Sequence, residues 1–346
     1  MPTKLLEEVH KAIRFKNARW TAGETAISRL PAEVRASILS KTPFSPFLPH
    51  RRFPIDRFPL QPQSFDWTNV DGSNYVTPAK MQDGGTCAAY ASTAALESCL
   101  LRMGLSHDPN LDLAEHAIIG TIGGGGNLHS IAAFMQTTGL PPENLYPSGP
   151  ETADPDWQSQ AYRQVIWDCI CPSVVDEVKA CLIQNGPVVT TMNCPPDFFF
   201  YKSGIYSNVH GQPGGFHAIL VVGYNDAEHC FKIKNSWDTS WGQAGFGEID
   251  YCEFRSSLVN FGWDIHTYVQ AEPPIPENYV PVPHVVGMRP NLATTMINSA
   301  GLKCKFTGNN GSPNSRVVSQ IPIGGKKVKK GSLVTCRRIT SNKMLP

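Results

Sequence analysis

One cysteine, one histidine and one asparagine in this 346-residue chain stand where their neighbours could turn them into a catalytic set. Cys87 lies in "QDGGTCAAYAS", between a glycine pair and an alanine-rich apolar run. A thiol attacks only as its thiolate, which a helix N-terminus and a nearby imidazolium both favour. His217 begins the apolar run "HAILVVGY" just after "PGGF", and Asn235 follows 18 residues later in "KIKNSW". An amide oxygen there can accept the imidazole N–H and fix its tautomer, with Trp237 screening the bond from water. Taken singly, Cys87 also reads as a small core residue and His217 as a satisfied histidine at a strand end. The ordered trio carries more than its parts.

These residues need particular elements to position them. From Thr86 to Arg102 the apolar spacing is helical, with Thr86 as N-cap and Gly104 as terminator, so Cys87 falls in the first turn of a buried helix. After about residue 180, "GPVVTTMN", "HAILVVGY" and "CFKIKN" are short alternating runs rich in β-branched and aromatic residues, which predicts strands. Two neighbouring antiparallel strands would bring His217 at the start of one beside Asn235 at the end of the next. Helices first and strands later predict an α+β architecture in two lobes. The first forty residues read as helical, with Pro31 in a first turn. "KTPFSPFLPHRRFPIDRFPLQPQSF" then forbids helix and predicts an extended, cleavable linker. A second proline-rich break, "AEPPIPENYVPVP", precedes a small third domain at about 279–340.

In the Cys, His, Asn order, the segments "SFDWTNVDGSNYVTPAKMQDGGTCAAYAS", "GPVVTTMNCPPDFFFYKSGIYS", "FHAILVVGYN" and "KIKNSWDTSWGQAGFG" resemble the papain-like cysteine proteases over about residues 60–270. The resemblance implies a helical lobe beside a β-barrel-like lobe over residues 61–272. It further implies Cys87 as nucleophile, His217 as base and then acid, Asn235 as the orienter of His217, and Gln82 as the side-chain oxyanion donor. Gly125 and Gly126 match the glycine pair beside which a substrate backbone lies extended. The same loop as a phosphate cradle would require a following Lys-Ser/Thr, which is missing. Leu128, Thr191 and Ala218 fall where the family lines the pocket for the residue two positions before the scissile bond, and Trp237 flanks the site. "LLEEVHKAIRFKNARWTAGETAISRL" resembles the inhibitory pro-segment of the cathepsin B branch, with its W-x-AG element at Trp20 to Gly23, so residues 1–60 are expected to block the cleft until removed. No histidine-bearing occluding loop follows Gly126, and endopeptidase action is expected.

Several departures qualify the match. Four residues separate Gln82 from Cys87, one fewer than the family pattern, which predicts a displaced oxyanion donor. Ala88 replaces a large aromatic, glycines replace both ends of a family disulfide, and Asp238 replaces a glycine beside Trp237. An alternative follows from the altered spacing: a catalytically inert papain-like protein that binds through its cleft and tail. The tail, "VPHVVGMRPNLATTMINSAGLKCKFTGNNGSPNSRVVSQIPIGGKKVKKGSLVTCRRI", resembles a PASTA domain, a helix packed on a small sheet, which implies a cell-wall ligand or a spacer role.

Charge is segregated. Residues 1–60 hold 11 Lys+Arg against 5 Asp+Glu, residues 61–278 hold 8 against 24, and residues 279–346 hold 11 against none. Such asymmetry points to segments with different partners, or to basic ends resting on the acidic middle. A basic N-terminal block on an acidic body loosens as carboxylates protonate near pH ~4. Lys326, Lys327, Lys329, Lys330, Arg337 and Arg338 suggest an anionic polymer or a solvated basic face, and no base-reading motif is present. No apolar run is long enough to span a bilayer, and the first twenty residues lack the apolar centre of a secretory signal. The family resemblance suggests an acidic endolysosomal-type or an extracellular compartment. Ten cysteines without metal-ligand spacing leave disulfides and free thiols both open, Cys304 with Cys336 among the pairs. The expectation is a monomeric zymogen-type cysteine endopeptidase acting on polypeptides, with neither metal nor organic cofactor required.

Overall fold

The computed structural model describes residues 4–41, 61–124, 127–147, 151–262, 265–274, 279–308 and 315–340. The proline-rich linker over 42–60 and the pair Gly125 and Gly126 therefore lie outside the described residues. The chain divides into two compact units, Met1–Pro273 and Pro274–Pro346.

The first unit opens with α1 (Lys4–Lys16), β1 (Trp20–Ala22) and α2 (Ala32–Ile38), followed by β2 (Ser64–Asp66). Pro31 stands at the N-cap of α2, one place before the first turn, where its fixed φ of −52° suits the entry to a helix. Three helices follow: α3 (Cys87–Arg102), α4 (Glu115–Ile122) and α5 (Leu128–Thr137). Fifteen of the sixteen residues of α3 are buried, as expected of a helix that is apolar all round. It ends at Met103, and Gly104 takes the left-handed conformation (φ +65°) that favours glycine after a helix. Thr86 occupies the N-cap position without capping through its side chain. Its hydroxyl instead donates back to the Asp83 carbonyl at 2.7 Å, which tightens the loop before Cys87.

The remaining elements are β3 (Arg163–Ile170), α6 (Val175–Asn185), β4 (Val188–Asn193), β5 (Tyr201–Tyr206), β6 (Phe216–Asn225), β7 (Cys230–Lys234), β8 (Phe246–Asp250) and β9 (Ile265–Glu272). Strand β3 precedes the predicted onset of strands near residue 180. Its run "RQVIWDCI" is only partly buried, so the alternation that would reveal it is weak. The sheet runs β1-β5-β8-β7-β6-β4-β9-β3, and β2 pairs with β6. Gly223 is required where β2 crosses, because a Cβ there would lie 2.6 Å from the Phe65 carbonyl oxygen. One core cluster joins α3, α4 and α5 to the inner faces of β4, β6 and β9. The other gathers Phe198, Tyr201, Trp237 and Trp241 with residues of α1 and α2. This is the two-lobed α+β fold expected of the sequence, with its N-terminal helices packed on the strand-rich lobe.

The second unit contains β10 (Tyr279–Pro281), α7 (Pro290–Ser299), β11 (Lys303–Thr307), β12 (Ser315–Ile321), β13 (Lys327–Lys329) and β14 (Leu333–Thr340). Helix α7 places Ala293 and Ile297 against Val317, Val334 and Cys336 of the β11-β14-β12 sheet. Cys304 lies opposite Val334 and Cys336 opposite Phe306, two positions out of step, and all ten cysteines are free thiols. The predicted basic cluster divides. Lys326, Lys329 and Lys330 are exposed, whereas Arg337 and Arg338 alternate across β14, and Arg338 packs over the Phe306 ring at 5.3 Å.

Candidate active site

Cys87 opens α3 and is fully buried. Beside it, Gly124 allows close approach, since a Cβ there would fall 2.5 Å from Thr86 Cγ2. Burial pushes the Cys87 thiol up to about 11, against the pull of the backbone N–H groups of Ala218, Ala88, Cys87 itself and Ser40. Ser40 belongs to the N-terminal segment, so this segment reaches the sulfur.

His217 and Asn235 meet as the strand geometry predicts. Strands β6 and β7 are antiparallel with Leu220 opposite Lys234, which carries the turn after β7 past the start of β6. His217 Nε2 lies 2.7 Å from Asn235 Oδ1. The same oxygen accepts from the Ser236 backbone N–H at 2.8 Å, which identifies it as the amide oxygen rather than the nitrogen. The imidazole proton therefore sits on Nε2. Trp237 stacks on the ring at 4.4 Å with an interplanar angle of 26° and is itself fully buried, so it closes the pair from water. His217 Nδ1 is buried with no hydrogen-bond partner. Burial pulls the imidazole down to about 4, against the opposing Asn235 hydrogen bond. Burial thus favours the uncharged forms of both Cys87 and His217 in this covered form.

Gln82 is not idle despite its shortened distance in sequence from Cys87. Its Oε1 accepts from Ser236 Oγ at 2.8 Å and Trp237 Nε1 at 3.1 Å, and its backbone N–H donates to the Ser236 carbonyl at 2.9 Å. These bonds fix the amide so that Nε2 donates to the Ile38 carbonyl at 2.9 Å and the Gly84 carbonyl at 2.6 Å. Ser236 was not singled out by sequence, although it stands within "KIKNSW" between two residues that were.

The N-terminal segment lies along the cleft. Ser40 exchanges both backbone hydrogen bonds with Phe216, each at 2.9 Å, immediately before His217. The segment passes close to Gly85, where a Cβ would lie 3.4 Å from the Ser37 and Leu39 carbonyl oxygens. Upstream, Trp20 is buried against Tyr206 at 5.2 Å and donates from Nε1 to the Ser207 carbonyl at 2.9 Å. Arg19 pairs with Asp250 at 2.6 Å and with Glu228 at 3.6 Å. The expected electrostatic attraction of segment and body thus has named members.

Among the predicted pocket residues, Thr191 and Ala218 are buried and directly opposite on β4 and β6, and Leu128 is buried at the start of α5. Asp238, in place of a glycine, adopts φ +67°, and its carboxylate turns to the Thr239 N–H and hydroxyl. Three carboxylates, Asp112, Glu115 and Glu143, gather within 4.8 Å, but the Lys80 ammonium already sits on Asp112 and Glu115. Although burial opposes its charge, Glu97, Glu115 and Asp112 hold the Lys80 ammonium protonated. This network braces α3 against the Gln82 loop, whose backbone reaches Asp238 through the Lys80 carbonyl.

The family model for papain family cysteine proteases matches residues 61–259, and that for the PASTA domain matches residues 280–335. The gamete and mating-type specific protein A of Dictyostelium discoideum is 33% identical over 200 residues, covering 52% of this chain and 42% of that protein. Pro-cathepsin H of Bos taurus is 30% identical over 203 residues, covering 55% of this chain and 60% of its own. This chain therefore spans less than two thirds of either relative. In fold it is similar to procathepsin B S9 of Trypanosoma congolense, with a TM-score of 0.65 at 19% identity over 79% of this chain and 99% of that one. Digestive procathepsin L 3 of Tenebrio molitor gives a TM-score of 0.62 at 19% identity, over 76% and 87%.

Proposed function

The chain belongs to the papain family of cysteine proteases, and on that premise we propose that it is an endopeptidase made as a zymogen, working through Cys87, His217, Asn235 and Gln82. The observation that carries this reading is the Gln82 amide donating to the Ile38 carbonyl, with Ser40 at the Cys87 sulfur. A peptide of the chain's own N-terminal segment thus already rests on the donor that a substrate carbonyl would need.

With the segment gone, water and substrate reach a dyad that is neutral while covered. Nε2–H of His217 remains committed to Asn235, which leaves Nδ1 to take the Cys87 proton. The thiolate attacks the peptide carbonyl, and the Gln82 amide and the Cys87 backbone N–H hold the oxyanion. Preorganised donors of this kind contribute ~3 kcal/mol each to the transition state. His217 then protonates the leaving amine. Water, deprotonated by the same imidazole, releases the acyl group from sulfur. Leu128, Thr191 and Ala218 form an apolar pocket for the substrate side chain two positions before the cut, and Gly125 and Gly126 pair with the substrate backbone.

Residues 1–60, 61–272 and 279–340 act as pro-segment, peptidase and PASTA-like domain. The last carries the charge for an anionic cell-wall polymer, with 11 Lys+Arg and no Asp or Glu over 279–346. The test of the zymogen reading is incubation at acidic and neutral pH with a peptide-directed thiol probe, followed by mass analysis. Probe on Cys87 only in chains that have lost the N-terminal block supports it; equal labelling of Cys87 in intact and shortened chains overturns it.

A further inference from the structure

A second sulfur–imidazole pair lies outside the cleft, on strands that the proposed reaction does not use. Cys169 of β3 and His266 of β9 are directly opposite in the antiparallel register, and Cys169 Sγ lies 3.3 Å from His266 Nε2. Cys169 is half-buried, so a small reagent can reach it, whereas His266 is buried. Trp167, on the same face of β3, stacks on the His266 ring at 5.9 Å with an interplanar angle of 10°, and His129 abuts the indole edge-on at 4.6 Å. The electron-rich face of an indole favours a cation above it, which offsets part of the cost of charging a buried imidazole. The indole face favours the imidazolium, and an imidazolium 3.3 Å from the sulfur favours the thiolate.

We propose that Cys169 is a second nucleophilic thiol of this chain, served by His266, and that it forms mixed disulfides with low-molecular-weight disulfides. The Cys169 proton passes to His266 Nε2, and the sulfur attacks one sulfur of the small disulfide. The new S–S bond forms as the old one breaks, and the departing small thiolate takes the proton back from His266. One protein thiol and one small disulfide give one mixed disulfide and one small thiol, so no further oxidant is needed. The other cysteines compete poorly. Burial pushes up seven of the ten thiols, and in Cys252, the exposed one among them, the Glu253 and Asp250 carboxylates add to the rise. Of the rest, Cys304 meets the Thr294 hydroxyl at 4.0 Å and the Cys336 thiol, and Cys171 receives a 3.3 Å hydrogen bond from the Arg255 guanidinium, which makes it the nearest rival. The site does not depend on Cys87 being catalytic.

The experiment treats the intact chain with limiting glutathione disulfide and maps the adducts by peptide mass. Cys169 is expected to carry the first glutathionyl group, about tenfold ahead of Cys304. His266→Gln should slow Cys169 by about the same factor and leave Cys304 unchanged. Trp167→Leu, which keeps the imidazole and removes the ring face, should slow it less, in the same direction. First reaction at Cys171, or equal rates at Cys169 and Cys304 in the unmodified sequence, overturns the proposal. So does a folded His266→Gln protein in which Cys169 reacts as before. Should that variant fail to fold, exposing the buried Cys181 to reagent, the Trp167→Leu rate and the unmodified ranking decide the matter.

Discussion

Gln82 Nε2 lies 2.9 Å from the Ile38 carbonyl oxygen, so one amide serves both the N-terminal segment and, in the proposed reaction, the oxyanion. Gln82→Ala should therefore act twice. In protein freed of residues 1–60, kcat should fall by roughly a hundredfold with little change in KM. In the intact chain, loss of one buried hydrogen bond should weaken the segment's hold by about 1 kcal/mol. Steady-state kinetics and the affinity of an added segment peptide measure the two effects separately. A fall in kcat without weaker segment binding would place Gln82 in only one of these roles.

Trp20 anchors the segment by burying its indole among Tyr201 and Tyr206 and by donating to the Ser207 carbonyl. Trp20→Ala leaves a cavity between β1 and β5 and strands that carbonyl, a loss of about 3–5 kcal/mol. The expected result is release of the N-terminal block at neutral pH, where the unmodified chain stays covered. Gel analysis over time, with Cys87→Ala combined to prevent self-cleavage, shows whether protease sensitivity in the segment rises.

Acid should loosen the segment through Asp250. Burial raises its carboxyl, but the Cys252 N–H and the Arg19 guanidinium outweigh this and hold it below its ordinary value. A carboxylate depressed in the folded state lends its stability above the ordinary carboxyl range and loses it as pH falls through the depressed value. The pair is partly exposed, so it is worth less than ~1 kcal/mol. Asp250→Asn should speed release several-fold at neutral pH, and the difference from the unmodified chain should begin to shrink only as pH falls below the ordinary carboxyl range near pH ~4, through the depressed value. A difference that stays constant from neutral pH down to pH ~2 would assign the effect to packing instead.

Much of the site was legible because its cues are local. His217 and Asn235 could be placed together from strand length and alternation alone, and the strands deliver the 2.7 Å contact. The helix carrying Cys87 was equally plain from apolar spacing. What escaped the sequence depends on residues far apart in it. Nothing near Gln82 announces that Ser236 and Trp237 hold its oxygen, 154 and 155 positions away. Nor does the N-terminal segment advertise which of its carbonyls meets Gln82. Strand β3 was missed because its half-buried surface blurs the alternation, and with it the pairing of Cys169 and His266.

The most direct measurement is hydrolysis of a fluorogenic peptide with an apolar residue two positions before the cut, by protein freed of residues 1–60. The unmodified protein should turn the peptide over, Cys304→Ala should match it, and Cys87→Ala should fall to background. Undiminished hydrolysis by the Cys87→Ala protein would contradict the assignment of Cys87 as nucleophile.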